Sequence, residues 1–161
     1  VRHEQHPVGR GQQAGLMSTA RRISTDPEEL DLDMIHAFLS GQAAWSRGMP
    51  RPVLERAIEN SLCFSAWRDG RQVGFARVVS DYATFAWLCD VFVVPDERGQ
   101  GHARAMLDAV VSHPQLQGLR RLSLASSSAR GLYAAFGFSV PQHPSSLMEK
   151  FDPDVYRSTH L

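Results

Sequence analysis

The sequence predicts an α+β fold, a sandwich built around one mixed sheet. Strand-like and helix-like segments alternate without the regular βαβ repeat that would give an all-parallel sheet. One hairpin signal, Asp69-Gly70, separates two apolar segments, and one long amphipathic helix, residues 102–113, sits between later strands. The chain has 161 residues, of which 43% are hydrophobic, enough for one domain with a real core. No internal repeat is visible.

Each element has a local reason. Arg22-Ile23-Ser24-Thr25 reads as a first short strand. Asp26-Pro27-Glu28-Glu29 supplies an N-cap, a proline at the first helical position and acidic residues in the first turn, so a helix is expected next. Its inner face would be Leu30, Met34, Ile35, Phe38 and Leu39. Residues 41–50 read as a loop, and 52–62 as a second helix with Val53, Leu54, Ala57 and Ile58 turned inward. Residues 64–67 and 73–79 form the hairpin strands, and 86–94 the next strand after a turn at Tyr82-Ala83-Thr84. Ala103, Met106, Leu107, Val110 and Val111 fall on one helical face, and Pro114 ends that helix. A strand is expected at 121–125, a short helix at 130–136 ended by Gly137, and final strands at 138–140 and 147–151.

The segment from Leu88 to Ala103 carries the most information. An apolar strand runs into a glycine-containing turn that opens a helix, which aims backbone N–H groups at one spot near the positive end of a helix dipole. A bound phosphate or pyrophosphate is the expectation. A P-loop does not fit, because no lysine follows the glycines. A dinucleotide fingerprint does not fit either, because Arg104 stands where its third glycine must be.

What fits is Arg/Gln-x-x-Gly-x-Gly/Ala, read here as Arg98-Gly99-Gln100-Gly101-His102-Ala103. Downstream stands Arg130-Gly131-Leu132-Tyr133-Ala134-Ala135-Phe136-Gly137-Phe138. In these two signatures and their order the chain resembles the GCN5-related N-acetyltransferases, the GNAT superfamily, over about residues 21–151. The resemblance implies a mixed, mostly antiparallel central sheet flanked by helices. It also implies acetyl-CoA as co-substrate, its pyrophosphate on Arg98, Gly99, Gln100, Gly101, His102 and Ala103. The pantetheine arm would pair with the backbone of Val91, Phe92 and Val93, with Ser126 and Phe136 on the other side. Where relatives carry Asp or Asn before the tyrosine helix, this chain has Ser126-Ser127-Ser128-Ala129. Arg104, Arg120, Arg121 and Arg130 are either partners of the adenosine phosphate or ordinary surface arginines.

Acyl transfer to an amine requires a positioned donor, a deprotonated amine and a protonated leaving thiolate. Asp90, a carboxylate inside an apolar strand, is the candidate to bind the amine or accept its proton, unless backbone or arginine groups satisfy it. Glu97, on the polar turn, is a weaker candidate. Tyr133, whose phenol titrates near ~10, is the candidate general acid, and relatives use a tyrosine at this place; a half-buried packing role is the alternative. Trp45, Arg47 and Tyr82, from segments 41–50 and 81–85, are candidates for the acceptor cleft or for plain packing and solvated roles.

Composition narrows the remaining classes. Lys+Arg and Asp+Glu are equal at 17 each, so no overall field draws the chain to nucleic acid or an anionic membrane. The longest apolar runs are far short of the ~20 residues a membrane span needs. Cys63 and Cys89 lie in apolar segments and read as reduced, buried thiols, which suits a cytoplasmic protein. The seven histidines have no partners at ligand spacing, so no metal is expected. Residues 1–20 are polar and read as a disordered extension, 152–161 as a tail. Translation starting at Met17 is one hypothesis, which N-terminal sequencing that found Val1 or its neighbours would exclude.

Together these features predict an N-acetyltransferase in which a primary amine, on a small molecule or peptide, attacks acetyl-CoA directly. The alternative is a non-catalytic acyl-CoA-binding sensor. No nucleic acid or membrane partner is expected, and a homodimer is left open.

Overall fold

The computed structural model describes residues 20–157. The expected extension, apart from residue 20, and Met17 lie outside the described residues, as do residues 158–161 of the expected tail. Five strands form one sheet in sequential order: β1 Arg21–Ser24, β2 Leu62–Arg68, β3 Arg71–Ser80, β4 Phe85–Val93 and β5 Arg121–Ser123. The first three pairings are antiparallel and the last, β4 with β5, is parallel, so the sheet is mixed and mostly antiparallel.

The β2–β3 turn is the expected one. Asp69 (φ 53°) and Gly70 (φ 76°) are both left-handed, the geometry whose twist matches a two-residue hairpin. Asp26 does cap, accepting from the Glu28 N–H at 2.9 Å, but it opens only a single 3-10 turn, Pro27–Glu29. The first α-helix, α1 Leu32–Ala37, starts five residues later, where Asp31 accepts from the Met34 N–H at 3.1 Å. It widens into a π turn, Phe38–Gln42, that carries the chain toward the site. The second helix, α2, spans Arg51–Glu59, shorter than its apolar pattern suggests.

The long helix α3, His102–Ser112, buries Met106, Leu107 and Val110 against one sheet face, with Phe64, Val73, Val78 and Leu88 opposite. The short helix α4, Arg130–Ala134, adds Tyr133 and Leu132 to the same layer. Helices α1 and α2 cover the other face with Ile35, Phe38, Leu39 and Leu54 over Cys63, Phe75 and Phe92.

The two expected final strands are not formed: the sheet ends at β5, and residues 138–140 and 147–151 join no strand. Pro141 directly follows the first segment and Pro144 opens a 3-10 turn before the second. Phe138 packs on the core beside Tyr133, but Val140, Leu147, Met148 and Phe151 find no face to cover and are all exposed. Strand β5 is shorter than expected because only the first three residues of β4 pair with it. Helix α4 also stops early, and Gly137 (φ 91°) turns the chain after it. Tyr156, in the expected tail, packs on the second core.

Helix α3 crosses the sheet over Gly74, where an added Cβ would stand 3.0 Å from Met106 Cε, 3.2 Å from Ala66 Cβ and 3.2 Å from the Phe92 carbonyl oxygen. Overpacking there is expected to cost about 1–3 kcal/mol. Gly74→Val should therefore lower the urea midpoint of unfolding, and an unchanged midpoint would contradict this packing.

Candidate active site

The site begins with a fault in β4. Register pairs Arg77 with Cys89 and Phe75 with Phe92, so β4 spends one residue more than β3 between these two pairs. That is a β-bulge, and it reverses which face the following side chains take. Leu88 before it lies in the core under α3, whereas Phe92 lies in the core under α1 and α2. Asp90 sits in the bulge at φ 54°, a conformation that Asp tolerates better than most residues.

Past the bulge β4 has no partner on its β5 side. Pairing with β5 ends at Trp87–Ser123, and a cleft of about 580 Å³ opens beyond it. Val91, Phe92 and Val93 line its middle. At one end are Glu97, Arg98, Gly99, Gly101, His102, Ala103 and Arg104; at the other, Phe38, Gln42, Ala43 and Trp45. Ser128, Ala129, Leu132 and Tyr133 close the opposite wall.

The glycine turn meets the requirements of an anion site. Gly99 (φ 74°) and Gly101 (φ 85°) both take left-handed backbone. Gly101 is the N-cap of α3 and offers no side-chain acceptor, so the first N–H groups of the helix lack an internal cap at the cleft wall. Beside the turn, Glu97 accepts from Arg68 Nη1 at 3.2 Å and lies 3.0 Å from the buried His102 Nε2. His102 and then Arg68 hold the Glu97 carboxyl below its ordinary range, so it is ionised and paired rather than poised to take a proton.

Several expected site residues occupy other roles. Gln100 turns away from the cleft, where its carbonyl and side chain accept from Arg21. The Arg98 Nε–H donates to the Val93 carbonyl at 3.2 Å while Arg98 also lines the cleft. The Ser126 hydroxyl oxygen accepts from the Ala129 N–H at 3.2 Å, steadying the turn into α4, and it is Ser128 that reaches the cleft. Phe136 packs on the core under α3. Arg47 and Tyr82 are exposed and do not line the cleft, whereas Trp45 does.

Tyr133 is buried apart from its contact with the cleft, with its ring edge-on to Phe138 at 6.0 Å. Burial pushes its phenol above the ordinary value, so it is protonated across neutral pH. Asp90, 8% exposed, does not line the cleft at all. Its Oδ2 accepts from Arg77 Nε at 2.6 Å and its Oδ1 from Trp45 Nε1 at 3.0 Å.

A profile of the acetyltransferase (GNAT) family matches residues 31–138. The chain belongs to the GNAT family. A Gibberella zeae protein named only provisionally as an acetyltransferase is 32% identical over 133 residues, 69% of this chain and 74% of its own length. The crystal structure of a Xanthomonas campestris pv. campestris protein, assigned to the same family and also named provisionally as an acetyltransferase, is 54% identical. It covers 85% of this GNAT chain and 96% of its own, with a TM-score of 0.83. A Clostridium acetobutylicum protein crystallised with acetyl-CoA shares the fold at 16% identity and a TM-score of 0.59, covering 83% of this chain and 96% of its own.

Phe38, Gln42 and Ala43, which line the end of the cleft away from the glycine turn, are not singled out by any sequence motif. Their position follows from the π turn, which the helical apolar pattern does not reveal. Arg77 has a readable signal, a charged residue within the apolar strand opposite Asp90's segment, and only the bulge shows why it is there.

Neither cysteine of this GNAT protein is placed for chemistry. Cys63 and Cys89 pair with opposite edges of Arg77, two strand spacings or roughly 9.5 Å apart, beyond disulfide reach. Burial pushes the Cys63 thiol up to about 12 and the Cys89 thiol up to about 11. At pH 8 the thiolate fraction is then roughly 10⁻³ or less. Ellman's reagent should label neither thiol promptly in the native protein and both after unfolding in guanidinium; immediate native labelling would refute this burial.

Proposed function

We propose that the chain transfers an acetyl group from acetyl-CoA to a primary amine by direct attack. The observation that carries this reading is the continuity of the cleft. One open channel joins the uncapped start of α3, the unpaired edge of β4 at Val91–Val93 and the Tyr133 side chain.

The donor's parts match that order. The pyrophosphate would take the N–H groups of the 99–103 turn with charge from Arg98, and the pantetheine amides would add to β4 as a further strand. The thioester then lies between the bulge and Tyr133. Attack by the neutral amine forms the C–N bond, and the tetrahedral oxyanion is stabilised by a backbone N–H near Val91. As the C–S bond breaks, Tyr133 gives its proton to the departing thiolate, and the surplus proton on the attacking nitrogen passes through solvent to the tyrosinate, which leaves the neutral amide and restores the phenol. Its raised phenol value suits this role, because the acid form persists throughout the neutral range. The high thiol values make a covalent cysteine intermediate unsuitable. The acetyl-CoA complex of the Clostridium relative supports the choice of donor by fold.

Calorimetric titration with acetyl-CoA, followed by thiol release against a panel of amines, tests the reading. Binding with amine-dependent release is expected; binding without release to any amine would favour a sensor, and no binding would overturn the assignment. Tyr133→Phe should lower kcat by roughly 10²-fold while leaving acetyl-CoA affinity within a few-fold. Unchanged turnover would remove Tyr133 from the chemistry. Gly101→Val should weaken acetyl-CoA binding at least ~10-fold, because a β-branched residue does not hold φ 85°. The space beside Gly101 is open, with only Arg21 Nη1 at 4.0 Å from the place a Cβ would take, so strain and not crowding is the cause.

A further inference from the structure

We propose that Asp90 is a positioning residue that, clamped by Arg77, holds Trp45 as the aromatic wall of the acceptor end, and that this end selects amines with an apolar body and a single charge. The inference rests on the acetyltransferase reading above, which orients the cleft.

A general base needs a lone pair facing the amine. Asp90 lacks the access, since its bonds to Arg77 Nε and Trp45 Nε1 fix the carboxylate in place and the residue is absent from the cleft wall. The clamp continues outward, for Arg77 Nη1 also donates to Ser61 Oγ at 3.1 Å. Arg77 and Asp90 side chains are 17% and 6% exposed, so their attraction is weakly screened.

Trp45 is the reverse case. It is 60% exposed and lies in a short 3-10 turn, and an indole left so open would ordinarily sample several rotamers. A charge-assisted bond from its N–H to a nearly buried carboxylate fixes the ring plane at the cleft wall instead.

The chemistry of the acceptor follows from what surrounds that ring. Phe38, Ala43, Trp45, Val91, Leu132 and Tyr133 present apolar or aromatic surface. Asp90 is the carboxylate beside this end, and Arg77 neutralises it. Among the described residues lining the cleft, the cations Arg98 and Arg104 belong to the anion end. Glu97 also lines the cleft, but at the anion end, where it is paired with Arg68 and His102; at the acceptor end a polyamine would find no unpaired carboxylate for its second ammonium, and an amino acid no cation for its carboxylate. An arylalkyl or branched alkyl monoamine finds a matching surface, and Trp45 also offers its face to an approaching ammonium.

The test uses Asp90→Asn and, on the exposed turn where folding is not at stake, Trp45→Phe, with phenethylamine, isoamylamine, spermidine and leucine as acceptors. In the wild type, the two monoamines should exceed spermidine and leucine in kcat/KM by at least ~10-fold. Each variant should raise the monoamine KM roughly 10-fold with kcat within about threefold and an unaltered pH profile of kcat, and Trp45→Phe should leave acetyl-CoA affinity unchanged. The double variant should be no worse than either single one. Loss of ~10²-fold in kcat together with the acidic limb of the pH profile in Asp90→Asn would overturn the positioning role in favour of a base. A preference for spermidine or leucine would overturn the acceptor class. Independently of activity, the Trp45 indole N–H resonance should move on Asp90→Asn, and a stationary resonance would refute the clamp. A wild type that binds acetyl-CoA yet releases no thiol with any amine would instead refute the underlying acetyltransferase reading, and the indole resonance would still decide the clamp.

Discussion

The Arg77–Asp90 ion pair holds one surplus residue in the middle of β4, and the rest of the site is arranged around that residue. Without the bulge, β4 would keep one alternation along its length, with Phe92 falling on the same face as Leu88. With it, Phe92 crosses to stack on Phe38 at 3.9 Å, while Val91 and Val93 pack against the other core. Pairing with β5 stops at Trp87, just ahead of the bulge, and the cleft lies beside the stretch of β4 that carries it. A left-handed aspartate in a strand is a strained arrangement, of order 1–3 kcal/mol. Its carboxylate's two bonds, to Arg77 and Trp45, are what offset the strain.

Electrostatics divides the cleft into two ends. The end at residues 97–104 combines helix N–H groups, Arg98 and Arg104, and is braced by Glu97, which is paired with Arg68 and His102. That end suits an anion. The far end is apolar apart from Gln42, the carboxylate behind its wall is already paired, and its aromatic surface is fixed by a bond to that carboxylate. A single substrate lying along β4 would therefore place its charge at one end and its reacting group, beside a protonated Tyr133, at the other.

Much of this is legible in the chain. The hairpin at Asp69-Gly70, the long helix with its inward Met106, Leu107 and Val110, and the left-handed glycine turn that opens that helix all follow from local chemistry that the tertiary structure does not override. The last strands are not legible, because alternation alone does not form a strand: residues 147–151 carry the pattern but have no sheet edge or face to receive it. Asp26 announces a helix that begins only at Leu32, since its cap is spent on a 3-10 turn. Among site residues, those that act through backbone or helix position are readable. Asp90 stands out as a carboxylate in an apolar strand, but its partners come from β3 and from the turn after α1, 13 and 45 residues away, and such pairings are not written in local pattern. Ser126, Gln100 and Arg47 look equivalent to their polar neighbours in sequence, and only the direction of each side chain separates them from the cleft.

The central claim is that the opening beside the β4 bulge is where acetyl-CoA lies. Amide chemical shifts followed by NMR during titration with acetyl-CoA measure this directly. The account predicts the largest changes at Gly99, Gly101, His102 and Ala103, a second group at Val91 and Val93, and little at Arg47 or Tyr82. Changes confined to other surfaces, or a spectrum indifferent to acetyl-CoA, would contradict it.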